Sequence, residues 1–340
     1  MAAPLSLESV ACDLCNHDDA ELLVVKLGFH VVRCRNCSLV YVNPRPKLEA
    51  LSAQYEVGSF FEHQVTRAND ESWRPEAQAR LELINRLHPT RGALLDVGCS
   101  AGWFMSVAQE AGWKVSGIDV SAPAIGYSKS RGFDAKVATL DDHGFAPGSF
   151  DVITMFDCIE HMPSPMRALQ AVRTLLAPGG IVMITTPNVD GFFPRLTYRI
   201  LARPFGAWDH PGPPGHIYQF GMRTMSAALE RSGFAVIDGR TTQIPLDFSV
   251  GALEDSIVDA LKGTGRRGTV APAMPGAAES GTATGTASTR PRVPTPVRVM
   301  RRLVRGVGGV VAWVIAGSVS PTSQLFGKGD SMLIVARAAA

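Results

Sequence analysis

The 340-residue sequence is sparing with charge: Asp, Glu, Lys and Arg make up 19% of it, and the formal net charge is +2. Nucleic-acid binding draws on a strongly basic field, and no such field arises from the composition. A long apolar run is also missing. The longest, Gly306 to Val319 (GVGGVVAWVIAGSV), falls short of the roughly 20 residues a spanning helix needs, is rich in glycine and follows Arg305. No membrane crossing is expected from it. The opening residues, MAAPLSLESVACDLC, lack a basic start followed by an apolar stretch, so no secretory signal is expected and a reducing cytoplasm is the simplest setting. Cysteines number only six, four of them in two close pairs, which in that setting favours metal over disulfides. No internal repeat is visible. Hydrophobic residues are plentiful at 46%, enough for a chain of this length to bury a sizeable core.

Five segments follow from the patterning. Residues 1–45 carry the cysteine pairs and end in the turn-prone Asn43-Pro44-Arg45-Pro46. Residues 46–92 read as helical, with Leu81, Ile84 and Leu87 on one face. Residues 93–245 alternate short apolar runs with helical stretches, the pattern of a parallel sheet with crossover helices. The expected strands are 93–97, 114–119, 135–138, 150–156, 180–187 and 234–240, with helices at 103–111, 122–130, 165–176 and 223–231. Residues 246–330 form an excursion, including a stretch at about 263–296 too poor in large apolar side chains to order itself and an apolar helix over Val297 to Val319. SMLIVAR, within 331–340, supplies a last strand, expected to insert antiparallel at the sheet edge.

Cys12-x2-Cys15 and Cys34-x2-Cys37 are separated by eighteen residues, and the segment between them reads as two short strands carrying the knuckles. Such a pair brings four thiolates to the corners of a tetrahedron, the geometry of closed structural Zn²⁺ sites. So short a segment folds poorly without a staple. His17 and His30 are the alternative ligands. Four thiolates leave no open position, so the zinc is expected to be structural.

In LLDVGCSAGWF, Leu94 to Phe104, a buried strand runs into a turn of small residues and then a helix, allowing the backbone to approach a ligand closely. A second strand ends at Asp119, 23 residues after Asp96, where a carboxylate can accept both ribose hydroxyls. Asp141 and Asp142 follow the third strand, within reach of an adenine amino group. Gly98-x-Ser100-x-Gly102 also fits the nucleophile elbow of serine hydrolases. That reading lacks upstream strands and an oxyanion loop, and it gives Asp96 and Asp119 no task. A nicotinamide enzyme is disfavoured because Ala101-Gly102 does not complete G-x-G-x-x-G in register. A non-catalytic scaffold, with the ribbon binding a partner and an inert core, is the other alternative.

These residues resemble the class I S-adenosylmethionine-dependent methyltransferases, whose first motif is matched by Asp96, Gly98, Ser100 and Gly102, with serine in place of the middle glycine. FDVITMFDCIEHM and LLAPGGIVMITTPN look like the family's fourth and fifth strands. The resemblance implies a Rossmann-like seven-stranded α/β sheet and S-adenosyl-L-methionine as cofactor. By the same resemblance, Asp96 and the glycine loop hold the methionine part, Asp119 the ribose and Asp141 the adenine, with Phe156 completing the cofactor set. Asp157, Glu160 and His161 are similar to the acidic-x-x-Glu-His segment of ubiquinone-type O-methyltransferases, which lies beside the methyl group and is a candidate divalent-ion site. Ligands in open α/β sheets bind at such strand ends. His161 is a candidate base because an unperturbed imidazole titrates near neutrality. The long connection from Asn188 to Gly221 reads as a substrate lid. It carries Phe192, Phe193, Tyr198, Trp208, His210, Tyr218 and His216, the last a second candidate base.

The expected reaction is O-methylation of a small molecule, sugar or lipid-linked glycan. Lys262 through Arg305 holds nine basic residues and one acid, beside the apolar stretch. A peripheral membrane contact through that tract is one reading, and a solvated linker is the other. Nucleic acid is not expected as a partner, since the tract lacks aromatics for base stacking.

Overall fold

The computed structural model describes residues 6–47, 71–203, 208, 210–242 and 329–339. The apolar helix and the low-complexity stretch expected between 246 and 328 lie outside the described residues.

Short strands β1 (Leu7–Glu8) and β5 (Arg45–Pro46) pair antiparallel and bracket the N-terminal unit. Between them run β2 (Ala20–Lys26), β3 (Phe29–Cys34) and β4 (Val40–Val42). A 3-10 turn, Glu71–Trp73, leads into helix α1 (Arg74–Leu87), which buries Leu81, Leu83 and Ile84. There follow β6 (Ala93–Val97), α2 (Trp103–Glu110), β7 (Lys114–Asp119), α3 (Ala122–Ser130), β8 (Asp134–Val137) and β9 (Phe150–Phe156). After them come α4 (Pro165–Leu175), β10 (Leu176–Pro187), α5 (Phe192–Thr197), β11 (Tyr218–Gln219), α6 (Met222–Arg231), β12 (Phe234–Thr242) and β13 (Ser331–Ala338).

Seven strands form one sheet in the order β12-β13-β10-β9-β6-β7-β8. Neighbours from β10 to β8 pair parallel, whereas β13 is antiparallel to both β10 and β12. The Rossmann-like expectation is met. The last strand is antiparallel as expected but sits one place in from the edge, because β12 pairs along its outer side. Apolar side chains cover both sheet faces. Trp73, Ile84, Phe104, Val107 and Trp113 pack on one side, and Leu169, Val172, Leu175, Met225 and Leu229 on the other. Central strands buried on both faces read as apolar runs, which is why β6 and β9 have the bounds the sequence suggests, while β7, KVSGID, is marked by the carboxylate at its end. The fifth strand begins earlier than expected, at Leu176, because Pro178-Gly179-Gly180 forms an irregularity within the strand and Leu176 still pairs with Phe150.

The cysteine unit is joined to the seven-stranded sheet. Its strands extend to β11, giving the order β11-β4-β3-β2, and Cys12, Leu14, Cys34, Leu39 and Tyr41 share one apolar core with β9, α4 and α6. The stretch 188–221, expected to be a lid, also has a structural part. It contributes α5, a π-helical turn over Tyr198–Ala202, and β11, which mends the edge of the ribbon sheet.

Candidate active site

At the carboxyl ends of β6, β7 and β9 lies a cavity of about 510 Å³. Gly98 turns the chain out of β6 with φ +76°, and a Cβ there would lie 2.8 Å from the Cys158 sulfur. Gly102 starts α2 with φ +79°, where a Cβ would meet Phe133 and Ser128 below 3.0 Å. Glycine accepts both the left-handed backbone and the close neighbours. Between them Ser100, φ +49°, directs its N–H to the Asp119 carboxylate, with N···Oδ2 2.9 Å. The Ser121 N–H donates to Asp119 Oδ1 at 2.8 Å. A carboxylate offers about four lone-pair sites. The Ser121, Ser100 and Val120 amides draw on them, and because Asp119 also lines the cavity, the remaining acceptor capacity is open to a vicinal diol.

Asp96, at the end of β6, is 4% exposed and accepts a hydrogen bond from Thr154 Oγ1 at 2.6 Å. Burial pushes its carboxyl up to about 7, against the stabilising Thr154 hydroxyl. Burial also raises Asp119, with the Ser121 and Ser100 amides opposing. Asp141 lies at the other end of the cavity and pairs with Arg167 Nε at 2.9 Å. Phe156 lines the cavity, meets Phe104 edge-on at 4.8 Å, and carries the Arg80 guanidinium 4.6 Å above its ring. Trp73, Arg80, Trp103 and Arg167 also line it, and the sequence reading missed all four. No motif marks them; helix α1 reaches the cavity only because it packs across α2.

Asp157 follows β9 with φ +49°, donating its N–H to the Thr185 carbonyl at 2.9 Å and accepting from Thr185 Oγ1 at 3.2 Å. His161 lines the cavity, and its Nδ1 is 3.0 Å from the Gly215 carbonyl. In the neutral ring that contact makes Nδ1 the donor and Nε2 the basic nitrogen. Burial lowers His161 below its usual value, so the ring is neutral at pH 7. His216 does not line the cavity: its ring stands edge-on behind His161 at 4.6 Å, and burial followed by the neighbouring His161 brings it down to about 3. The aromatics of the expected lid mostly pack inward. Trp208 is 3% exposed and donates Nε1–H to the Pro194 carbonyl at 3.1 Å.

Among the described residues, two groups could hold metal. Sγ atoms of Cys12 and Cys37 are 3.4 Å apart and those of Cys15 and Cys34 3.5 Å, all four cysteines being free thiols. Zn–S bonds of about 2.3 Å require tetrahedron edges of about 3.8 Å, so a small relaxation suffices. His30 is exposed on β3, while His17 Nδ1 contacts the Cys15 carbonyl at 3.1 Å; neither joins the four-sulfur group. The second group is Glu160, His161 and His216, with ligand atoms within 4.8 Å of one another. Asp157 does not belong to it. Both Glu160 carboxylate oxygens are buried without a hydrogen-bond partner, and burial followed by the Asp157 charge raises Glu160 well above the carboxylate range.

A methyltransferase-domain family matches residues 62–238, just over half of the chain. A ubiquinone biosynthesis O-methyltransferase of Albidiferax ferrireducens is 36% identical over 118 residues, 32% of this chain and 47% of that protein. One from Paraburkholderia xenovorans is 33% identical over 134 residues, 34% and 57% of the two chains. The chain thus spans about half the length of the curated relatives it matches. Among solved structures, a SAM-dependent methyltransferase from Archaeoglobus fulgidus aligns at 14% identity, over 79% of this chain and 97% of that one, with a TM-score of 0.45. The serine hydrolase and inert-scaffold readings gain no support. With its glycine loop, seven-stranded sheet and family match together, this chain belongs to the methyltransferase-domain family, of the class I, Rossmann-like kind.

Proposed function

We propose that this chain transfers a methyl group from S-adenosyl-L-methionine to an oxygen of a small molecule. The observation that carries the reading is Asp119, which lines the cavity with its two oxygens fixed by the Ser100 and Ser121 amides and with acceptor capacity left for a diol. When bound, the cofactor supplies a methyl group already activated on a sulfonium. Asp119 then holds the ribose diol, with Gly98 and Ser100 allowing close approach of the backbone. Asp96 and Arg80, the latter ion-paired with Glu76, both line the cavity and offer opposite charges to an amino-acid moiety, and Asp141 with Arg167 is left for the adenine. Gly102 acts indirectly, by seating α2 behind the loop. His161, neutral with Nε2 basic, takes the proton of the acceptor hydroxyl, while the Gly215 carbonyl and His216 keep its ring in place and the Asp157 charge favours the imidazolium that forms. Proton removal by a positioned base contributes roughly 10²–10⁴-fold. Trp73, Trp103 and Phe156 give the acceptor an apolar wall, which favours the aromatic hydroxyl suggested by the relatives' names over a free sugar or lipid-linked glycan.

Zn²⁺ held by Cys12, Cys15, Cys34 and Cys37 is a structural part of this reading, supported by the sulfur spacing. A divalent ion on Glu160, His161 and His216 is a second reading, supported by the unpaired Glu160 oxygens. It would reverse the upward shift of Glu160. A peripheral membrane contact through residues 262–305 is proposed from charge alone, and no helix among the described residues is long and apolar enough to cross a membrane.

The test is transfer of labelled methyl from S-adenosylmethionine to a panel of catechols, phenols and sugars, with and without added Mg²⁺ and with His161→Gln. Catechol methylation that falls about 10²–10⁴-fold in the variant, at unchanged affinity for S-adenosylhomocysteine, is expected. Transfer to nitrogen or carbon acceptors alone would overturn the oxygen assignment, and full activity of the variant would remove His161 as base.

A further inference from the structure

Helix α4 begins with Ser164 as its N-cap, followed by Pro165, which has no N–H to satisfy. The Arg167 N–H is answered within the turn by Ser164 Oγ at 3.3 Å. The Met166 N–H is answered from outside, by Asp13 Oδ2 at 2.8 Å, and Asp13 Oδ1 accepts from Ser164 Oγ at 2.7 Å. A carboxylate at this position meets both the orphan donors of the first turn and the positive end of the helix dipole. Asp13 is the first residue inside the knuckle Cys12-x2-Cys15, so its own position depends on the sulfur cluster.

What Asp13 holds is a wall of the cavity: Met162, Pro163, Ser164 and Arg167 all line it. A second tether acts on the same wall. Arg45 Nη1 donates to the Pro163 carbonyl and, at 3.0 Å, to the Tyr218 hydroxyl, which itself donates to Pro163 at 3.2 Å. Arg167, one turn into α4, reaches across to Asp141.

We propose that Asp13 is a positioning residue that couples the four-cysteine metal cluster to the cofactor cavity: the metal fixes the knuckle, Asp13 fixes the first turn of α4, and that turn sets Arg167 against Asp141. This rests on the S-adenosylmethionine reading of the cavity and adds to it a dependence of cofactor affinity on the ribbon's metal, although none of Cys12, Cys15, Cys34 and Cys37 lines the cavity. The thiolates need not contact the ligand for their occupancy to be felt there.

The test uses the full chain, as wild type, Asp13→Ala and Asp13→Asn, each zinc-loaded and chelator-treated. It reads metal content, amide hydrogen exchange of the Met166–Arg167 segment, and calorimetric binding of S-adenosylhomocysteine. Loss of a charge-assisted cap is expected to speed exchange there by about tenfold and weaken binding by about tenfold, with metal content unchanged. Chelation of the wild type should reproduce both effects, and chelation of Asp13→Ala should add little, the mark of a shared route. A purely structural role would lower the melting temperature without moving affinity well below it. Unchanged exchange and affinity in folded, zinc-loaded Asp13→Ala would overturn the proposal, as would equal chelator effects with and without Asp13. If Asp13→Ala does not fold, Asp13→Asn, which keeps one acceptor oxygen, carries the same comparison. Failure of the wild type to bind the cofactor product would defeat the cofactor reading, and the exchange measurement would then decide the Asp13 coupling on its own.

Discussion

Replacing Asp119 by alanine removes the carboxylate that lines the cavity, with its two expected ribose contacts, and the acceptors that hold the loop amides. A hydrogen bond to an ionised group is worth about 1.5–3 kcal/mol, so losing both ribose contacts costs about 3–6 kcal/mol of binding. That corresponds to roughly 10²–10⁴-fold weaker affinity. Asp119→Asn keeps the shape but turns an N–H₂ toward either the Ser100 or the Ser121 amide, donor against donor, so it should recover little. The assay is calorimetric titration of zinc-loaded protein with S-adenosylhomocysteine, performed well below the melting temperature of each variant. Melting must be recorded separately, because the orphaned Ser100 and Ser121 amides cost about 1–3 kcal/mol of stability each. Burial raises Asp119, so wild-type affinity should also fall on acidification through that raised value, starting at a higher pH than an ordinary aspartate would give. Affinity of Asp119→Ala within threefold of wild type would refute the ribose assignment.

Three further outcomes are expected. Gly98→Ala forces a left-handed alanine against the Cys158 sulfur; strain of about 1–2 kcal/mol and crowding of about 1–3 kcal/mol should lower the unfolding midpoint measured in denaturant and abolish cofactor binding. His210, brought down to about 3 by burial, binds a proton in the unfolded chain near pH 6.5 but not in the folded one. Its contribution is complete above pH 6.5 and is lost toward pH 3 at about 1.4 kcal/mol per unit, so denaturant titrations should show a shallower acid slope for His210→Phe than for wild type. Cys34→Ser should release the metal, seen by elemental analysis, and destabilise the chain by several kcal/mol, since Cys34 is fully buried in the shared core.

The elements that sequence rendered well are those whose burial is two-sided or whose ends are chemically marked. β6 and β9 are largely apolar runs, and α3 starts at Ser121-x-Pro and stops before Gly132. The glycine loop and Asp119 were legible because a turn, a strand tip and a carboxylate recur at fixed spacing. Two-residue strands such as β11 have no periodicity to read, and their existence depends on the partner edge offered by β4. The place of β13 depends on which free edge it finds, and hydropathy is silent on that. Arg80, Trp73 and Arg167 enter the cavity through helix packing, and Asp13 reaches the cavity wall through a contact with Ser164, 151 residues away in sequence, distances at which local pattern carries no information.

Strand β13 occupies a slot between two strands that precede it in the chain, with residues 243–330 intervening. During synthesis, β10 and β12 therefore wait with facing edges unpaired until that whole stretch has left the ribosome. Its seven pairs to β10 and eight to β12 form together, as a wedge driven into a gap and not as a strip added to a border. Loop closure over so long a stretch is slow relative to local helix formation. The nascent chain thus exposes two sticky edges at the stage when aggregation competes with folding. Chains cut short of Ser331 would remain arrested there, and supplying the missing strand in trans would rescue their solubility.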